Sequence, residues 1–202
     1  MKVGITGGIA CGKSVVLEMF AQAGWQTLSA DAIVHELLDQ DPEVCEAGVA
    51  ELGEKVIGTD GVLDKKGMAD AVFNDTDKRI WLEELLHPRV HEEWTAAVTK
   101  NPDQNWAVEI PLLFEKKLEK HFNLVVCLTC SQKTQLSRLS SRGLSEANAM
   151  ARITCQAPLA EKIEKSDIVL SNNGSLNFLR KQFSILLKRL KLSPKEDSSV
   201  QA

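Results

Sequence analysis

A glycine-rich segment near the start of the chain has the composition of a phosphate-binding loop. A glycine is followed after four residues by Gly-Lys-Ser, in the run Gly7-Gly8-Ile9-Ala10-Cys11-Gly12-Lys13-Ser14. Glycines allow backbone amides to approach phosphate oxygens without a Cβ in the way. The lysine can reach the β- and γ-phosphates of a nucleotide, and the serine hydroxyl can ligate Mg²⁺. The motif therefore predicts binding of a nucleoside triphosphate with Mg²⁺, and a catalytic role for Lys13.

The position of this loop between a strand and a helix supports the same prediction. An apolar run over Val3–Thr6 precedes the loop, and a helix is predicted from about Lys13 to Ala23, with Gly24 as its stop signal. The amino end of such a helix carries roughly half a positive charge, which favours an anion. The predicted nucleotide contacts are Gly8, Ile9, Ala10, Cys11, Gly12, Lys13, Ser14 and Val15.

Two carboxylates follow predicted strands and are candidates for chemistry. Asp31 ends the segment Leu28-Ser29-Ala30-Asp31, at the sheet edge where the phosphate loop also lies, and is placed to orient an acceptor hydroxyl and take its proton. An ordinary N-cap for a helix over Ala32–Leu38 is an equal alternative. Glu109 ends a later apolar run and could hold Mg²⁺ through water, or be a strand-end carboxylate without a ligand.

The elements that position these residues form the pattern of a layered α/β fold. Five short and nearly continuous apolar runs predict strands over Val3–Thr6, Thr27–Ala30, Trp106–Ile110, Leu124–Thr129 and Asp167–Ser171. Such runs are typical of a parallel sheet that is covered on both faces. Helical patterns between them imply right-handed crossovers, and a last helix starts after Ser175. We predict a P-loop three-layer fold with a five-stranded parallel sheet.

Two long interruptions of the strand pattern predict additional domains. Residues 32–104 fit several helices, including 42–52, 77–86 and 88–100, and a simple crossover needs far less chain. We expect a helical substrate-binding insertion there. The segment between Ser131 and Ser166 contains six basic and three acidic residues. This surplus of positive charge suits a helical lid over phosphates at 132–165. The predicted nucleotide-binding core is 1–31, 105–131 and 166–192, followed by a frayed tail at 193–202.

Composition and charge limit the class of protein. A chain of 202 residues suits one compact domain with insertions, and a net charge of -4 argues against a general nucleic-acid binder. No apolar run reaches the length of a membrane span, and the first residues lack the apolar region of a signal peptide. We expect a cytoplasmic monomer or weak homo-oligomer that acts on a small molecule, with no nucleic-acid or membrane partner. A GTPase is disfavoured because no asparagine is followed by lysine, as base recognition would need.

The cysteines are predicted to be reduced thiols. There are five of them, an odd number without the spacing of a disulfide framework. Cys127 and Cys130 form a Cys-x-x-Cys, but their odd separation in a strand points the two thiols to opposite faces. We therefore interpret these cysteines as small buried apolar residues.

Several stretches resemble the dephospho-coenzyme A kinase family, in the family's order and over nearly the whole chain. Besides the phosphate loop from Ile5, they are Ser29–Ile33, Leu86-His87-Pro88, Ile110-Pro111-Leu112-Leu113-Phe114-Glu115, Gln135–Arg142, Arg152-Ile153 with Gln156, and Ser166–Gly174. The resemblance implies transfer of the γ-phosphate of ATP to the ribose 3′-hydroxyl of dephospho-CoA. It also implies a CoA-binding insertion and a mobile lid. Ala10, Val15 and Ser29 depart from the residues common in this family.

The resemblance also suggests roles for residues outside the loop. It favours Arg142 in the phosphate site, with Arg138 as its companion four residues earlier on a predicted helix. We expect His87, Pro111 and Leu112 to contribute to the substrate site. Asn173 and Gly174 follow the last strand, where related kinases often hold adenine, although a plain turn is the simpler interpretation. Another small-molecule kinase, such as a nucleoside monophosphate kinase, and a non-catalytic ATP-binding switch are the alternatives.

Overall fold

The computed structural model describes residues 1–53, 56, 64, 67–68, 71–72 and 75–192. The predicted frayed tail at 193–202 lies outside the described residues. The chain divides into two compact units, one formed by Met1–Leu28 with the chain from Asp103 onward, the other by Ser29–Pro102. None of the described helices combines the length and the apolar character needed to cross a membrane.

A five-stranded parallel sheet is the centre of the first unit. The strands are β1 (Lys2–Gly7), β2 (Gln26–Ser29), β3 (Trp106–Glu109), β4 (Leu124–Thr129) and β5 (Ile168–Ser171). Their order in the sheet is β2-β3-β1-β4-β5, with β1 paired in parallel to both β3 and β4. All of β3 is buried, as its unbroken apolar run requires. The prediction of a five-stranded parallel α/β sheet is confirmed.

Among the described residues, five α-helices accompany this sheet and close the hydrophobic core, and a short 3-10 helix (Glu119–His121) precedes β4. The α-helices are α1 (Lys13–Gln22), α5 (Gln132–Ser140), α6 (Glu146–Thr154), α7 (Leu159–Lys165) and α8 (Leu176–Leu192). The Phe20 ring of α1 packs edge-on against Phe183 of α8, with ring centroids 4.8 Å apart, and tilts against Trp25 at 4.9 Å. Burial of each such ring contributes roughly 1.5–3 kcal/mol, so this aromatic group anchors α1 behind the phosphate loop.

The second unit consists of three described helices, α2 (Ala30–Gln40), α3 (Pro42–Leu52) and α4 (Thr76–Lys100). The side chain of Asp41 caps α3 by accepting from the amides of Glu43 at 2.9 Å and Val44 at 3.3 Å. Arg89 of α4 donates to Glu43 at 3.0 Å and so joins α4 to α3.

The expected break between two helices at Pro88 is wrong, because α4 continues through the proline. A proline inside a helix costs about 3 kcal/mol. Buried apolar residues lie at regular spacing on both sides of it, at Leu86, Val90, Trp94 and Val98. Their burial outweighs that cost, and the guanidinium of Arg89 donates to the Leu85 carbonyl at 2.9 Å.

Candidate active site

The phosphate loop turns sharply between β1 and α1, and its glycines are required by close contacts. Gly12, the residue before α1, has φ 97, and a Cβ there would lie 2.3 Å from the Asn172 amide nitrogen. At Gly8, a Cβ would lie 2.7 Å from the side-chain nitrogen of Gln135. Gly12 therefore needs glycine because of its positive φ and this contact, while a side chain at Gly8 would displace the end of Gln135.

Four successive carbonyl groups of the loop each accept a hydrogen bond from a side chain. The pairs are Gly8 O with Lys13 Nζ at 3.2 Å, Ile9 O with Gln135 Nε2 at 2.8 Å, Ala10 O with Arg138 Nη1 at 2.9 Å, and Cys11 O with Asn172 Nδ2 at 2.9 Å. In a planar trans peptide the next amide points away from the carbonyl. The four bonds therefore turn the intervening amides to the opposite side of the backbone, as a phosphate site requires.

Some backbone amides of the loop already donate a hydrogen bond within the protein, and others do not. Ile9 N donates to Gln156 Oε1 at 3.0 Å, and Cys11 N donates to the Gly8 carbonyl at 3.2 Å. The amides of Ala10 and Gly12 donate to no described residue. These two amides, with the first turn of α1, can bind phosphate oxygens without breaking an existing bond.

Ala10 is held in a conformation that normally favours glycine. Its φ is 59, in the left-handed region, which costs an L-residue roughly 1–2 kcal/mol. The hydrogen bond from Arg138 to the Ala10 carbonyl helps to hold the strained turn.

Arg138 connects the loop to the end of β5. Besides Ala10, its guanidinium donates to the Asn172 carbonyl at 2.9 Å. Asn172 is buried, and its own amide donates to Thr129 O at 2.7 Å at the end of β4. The two residues therefore form a support that binds the loop to two strand ends.

A buried ion pair joins α7 to the turn after β3. Lys162, whose side chain is 1% exposed, contacts Glu115 Oε1 at 2.7 Å and donates to the Pro111 carbonyl at 2.7 Å. The same Glu115 oxygen accepts from the Ala157 amide at 3.0 Å, while its other oxygen is buried without a hydrogen-bond partner among the described residues. Burial raises the pKa of Glu115, but the hydrogen bonds from Lys162 and Ala157 outweigh it and hold the pKa below its usual value.

The ion pair is connected to the loop through one peptide. The Ala157 amide donates to Glu115, and the preceding residue, Gln156, accepts from the Ile9 amide through its side chain. Sequence reasoning gave no role to Glu115, and it missed Gln135, Gln156 and Asn172 as supports of the loop. The only available signal was that all of them lie within the stretches that resemble the family.

The two residues predicted to hold Mg²⁺, Ser14 and Glu109, lie at the edge of the sheet where the phosphate loop also lies. Ser14 is the second residue of α1 and is exposed, while Lys13 beside it is buried. Glu109 is the last residue of β3, is 3% exposed, and pairs in register with Ile5 of β1. Val15 follows in α1 with its side chain exposed.

The remaining predicted residues of the first unit occupy turns. Arg142 is exposed in the turn after α5, so the expectation that it shares a helix with Arg138 is wrong. The helix ends because Gly143 has φ 85 and the Leu144 amide donates back to Leu139 O at 3.2 Å, which closes a glycine C-cap. The substrate candidate Leu112 is half-buried in the turn after β3.

The predicted adenine-binding turn after β5 is exposed. Asn173 and Gly174 both lie at the surface there. The side chain of Asn173 accepts from the Ser131 amide at 2.6 Å, which joins this turn to the residue before α5.

Two predicted site residues belong to the helical unit. Asp31 is exposed in the first turn of α2, and α2 begins at Ala30, so the alternative that Asp31 caps a helix is wrong. An acidic residue in a first turn still interacts favourably with the helix dipole. His87 is half-buried in the middle of α4, immediately before Pro88.

The parallel sheet, the loop after β1 and the cationic side chains around it define a kinase of the P-loop class. The family model described as Dephospho-CoA kinase matches residues 1–177. A dephospho-CoA kinase of Bacillus cereus is 36% identical over 190 residues, which cover 92% of this chain and 95% of the relative. The chain belongs to the dephospho-CoA kinase family, as its motifs implied.

Solved structures agree with this assignment. A Thermus thermophilus protein of known structure superposes with a TM-score of 0.78 at 30% identity, with 96% of this chain and 98% of that chain covered. The dephospho-CoA kinase from Campylobacter jejuni gives a TM-score of 0.69 at 27% identity, with coverage of 94% and 98%. The predictions of family membership and of an ATP-dependent kinase are confirmed.

Proposed function

We propose that this chain transfers the γ-phosphate of ATP to the ribose 3′-hydroxyl of dephospho-CoA, giving CoA and ADP. The observation that carries the proposal is the ordered loop, in which the carbonyls of residues 8–11 each accept a hydrogen bond from a side chain, one of them Lys13. Preorganised amides of this kind stabilise charge without rearrangement during the reaction. The names of the relatives supply the acceptor, since those from Bacillus cereus and Campylobacter jejuni are dephospho-CoA kinases.

The triphosphate would be bound by the loop amides, the ammonium of Lys13 and the amino end of α1. Lys13 already lies at the loop, with its Nζ 3.2 Å from the Gly8 carbonyl. Ser14 and, through water, Glu109 are the residues we propose to hold Mg²⁺; their oxygens are the hard ligands that this ion prefers. Bound Mg²⁺ would neutralise charge on the β- and γ-phosphates.

Asp31 is the proposed group that orients the acceptor hydroxyl and takes its proton. It is exposed and follows the carboxyl end of β2, and ligands of parallel α/β sheets bind outside the carboxyl ends of the strands. We assign the acceptor to the helical insertion at 32–104, with His87, Pro111 and Leu112 as contributing residues.

The segment 132–165 is proposed as the lid, with Arg142 reaching the transferring phosphoryl group. The Arg142 side chain is exposed and forms no hydrogen bond or ion pair with the described residues, so it is available for phosphate oxygens. Asn173 and Gly174 would border the adenine. We further propose that the protein acts in the cytosol as a monomer or weak homo-oligomer.

A coupled ADP-release assay with ATP, Mg²⁺ and dephospho-CoA tests the proposal, with the product identified by its mass. We expect ADP release only when dephospho-CoA is present, together with a product one phosphate heavier. ADP release that responds to a nucleoside monophosphate but not to dephospho-CoA would select another small-molecule kinase. ATP binding without transfer to any acceptor would select a binding switch.

The role of Asp31 is tested in the same assay with Asp31→Asn. We expect a loss of roughly 10²–10⁴-fold in turnover, the usual size of a general-base contribution, with ATP affinity retained. Glu36→Gln is the matched control, because Glu36 is also an exposed acid on α2. Near-normal turnover of Asp31→Asn would remove this residue from the mechanism.

A further inference from the structure

Two cysteine sulfurs meet behind the phosphate loop. Cys11 Sγ lies 3.4 Å from Cys130 Sγ, although the residues are 119 apart in sequence. Cys11 belongs to the loop, and Cys130 directly follows β4. Both residues are buried, at 0% and 4% exposure. The odd spacing of Cys127 and Cys130 argues against their pairing and assigns no partner to Cys130; the sulfur that faces Cys130 comes from the loop.

The surroundings make the two thiols chemically unequal. The hydrogen bond from Cys130 lowers the pKa of Cys11 to about 7 against the opposing effect of burial, and the charges of Lys13 and Arg138 add to this effect. The same contact and burial raise the pKa of Cys130. Cys11 is therefore the thiol that ionises near neutral pH, and the thiolate is the reactive form of cysteine.

We propose that Cys11 and Cys130 form a reversible disulfide with two-electron oxidants of the peroxide class, and that this bond prevents ATP from binding at the loop. The inference rests on the proposed use of this loop for ATP. Because both sulfurs are buried, a small oxidant such as hydrogen peroxide is favoured over bulky thiol reagents.

The chemistry balances in two steps. The Cys11 thiolate attacks one peroxide oxygen, the O–O bond breaks, and a sulfenic acid and hydroxide form. The Cys130 sulfur then attacks the sulfenic sulfur, so that the S–S bond forms and the S–O bond breaks. The departing hydroxide and the Cys130 proton give water. Two thiols and one peroxide thus yield one disulfide and two waters, and exchange with an added dithiol reverses the reaction.

Formation of the bond must move the loop. A disulfide has an S–S distance of about 2.05 Å, so the sulfurs, now 3.4 Å apart, must approach by about 1.3 Å. Cys11 is also held at its carbonyl by Asn172 and at its amide by Gly8. Pulling its side chain towards the end of β4 therefore strains these bonds and displaces the neighbouring Gly12 amide. Loss of one hydrogen bond from such an amide to a charged phosphate would weaken ATP binding by about 10–100-fold.

The test compares wild-type protein, Cys130→Ser and Cys130→Ala, each reduced or treated with hydrogen peroxide. ATP affinity is measured by titration, and non-reduced peptides are identified by mass. For the oxidised wild type we expect a peptide linking Cys11 to Cys130, about 10–100-fold weaker ATP binding, as for one lost hydrogen bond to a charged group, and recovery after dithiothreitol. Bound ATP should slow the reaction. Cys155→Ser is the matched control, since Cys155 is an exposed thiol. This substitution should leave the linked peptide, the loss of ATP affinity and its recovery unchanged.

The outcomes separate the two proposals. Failure of the reduced wild type to bind ATP would overturn the proposed function itself. If the reduced protein binds ATP but no Cys11–Cys130 peptide forms, the disulfide proposal is wrong. It is also wrong if the linked protein binds ATP as tightly as the reduced one. The two Cys130 variants should bind ATP as the reduced wild type does and form no linked peptide. After peroxide they can carry only a sulfenic acid or a higher oxidation product at Cys11, so a loss of ATP affinity in them as large as that of the oxidised wild type would contradict the assignment of the loss to the disulfide.

Discussion

Replacing Glu115 by glutamine removes one charge from the buried ion pair while it keeps the shape of the side chain. The partner, Lys162, has a side chain that is only 1% exposed, and its ammonium would keep the Pro111 carbonyl as an acceptor at 2.7 Å. An uncompensated buried charge left by the removal of its partner costs about 3–5 kcal/mol. We therefore expect Glu115→Gln to lower the free energy of unfolding by that amount.

The reciprocal change, Lys162→Met, should cost less. Glu115 would keep the Ala157 amide as a donor at 3.0 Å, and its side chain as a whole is 20% exposed against 1% for Lys162, so its charge is less completely removed from solvent. We expect a cost of about 1–3 kcal/mol, the size of a lost charged hydrogen bond. The double variant removes both charges, and such replacements of buried pairs are often nearly neutral. It should therefore be more stable than Glu115→Gln alone.

Thermal and urea unfolding of the four proteins measures this cycle. A change of 1 kcal/mol shifts Tm by about 2–4 °C in a chain of this size, so Glu115→Gln should lower Tm by roughly 6–20 °C. Equal costs for the single variants, adding up in the double variant, would refute a buried pair as the stabilising element.

Three further predictions concern the loop and its neighbours. Gly12→Ala should weaken ATP binding by about 100-fold or more in titrations, because the new Cβ would lie 2.3 Å from the Asn172 side chain. Gly24→Ala is the control: Gly24 has a similar φ of 85, but no atom lies within 4 Å of the position that its Cβ would take, so ATP affinity should be unchanged. Arg138→Ala should lower both the ATP affinity and the urea concentration at the unfolding midpoint. Arg142→Ala should lower turnover alone. If turnover and ATP affinity are unchanged in both variants, the lid role is untenable. Because the folded pKa of Glu115 lies below its ordinary 4.5, its stabilisation is present above that pH and is lost as pH falls through the lower value. Urea unfolding from about pH 6 to pH 3 should therefore show a shallower acid loss in the Glu115→Gln/Lys162→Met double variant than in the wild type; an identical loss would assign acid sensitivity to other carboxylates.

The sheet and the phosphate loop could be predicted because their signals are local. A parallel strand covered on both faces needs an apolar run such as Val3–Thr6, and the loop needs its glycines at fixed spacing. The course of α4 could not be predicted in this way. Pro88 is a local stop signal, but the buried stripe that includes Leu86 and Val90 is decided by tertiary packing.

The supports of the loop were missed because they act across long separations in sequence. Gln135 contacts a loop residue 126 positions away, Gln156 one 147 positions away, and Asn172 one 161 positions away. Isolated polar residues carry no periodicity, so their pairing depends on the completed fold. The same applies to Cys130, which was interpreted within its own strand while its sulfur faces Cys11 across the sheet edge.

These contacts also restrict how the predicted lid can move. Gln135 and Arg138 of α5 bond the carbonyls of the loop, and Gln156 bonds its first amide, yet all three lie within the segment 132–165. Lys162 of α7 is tied to the core by a buried ion pair. A closing movement of the whole segment would break the bonds that shape the phosphate site. If the segment acts as a lid, as we propose, a movement that keeps these bonds is limited to the stretch between α5 and Gln156, where Ala149 of α6 itself packs with Ala10 of the loop and Leu139.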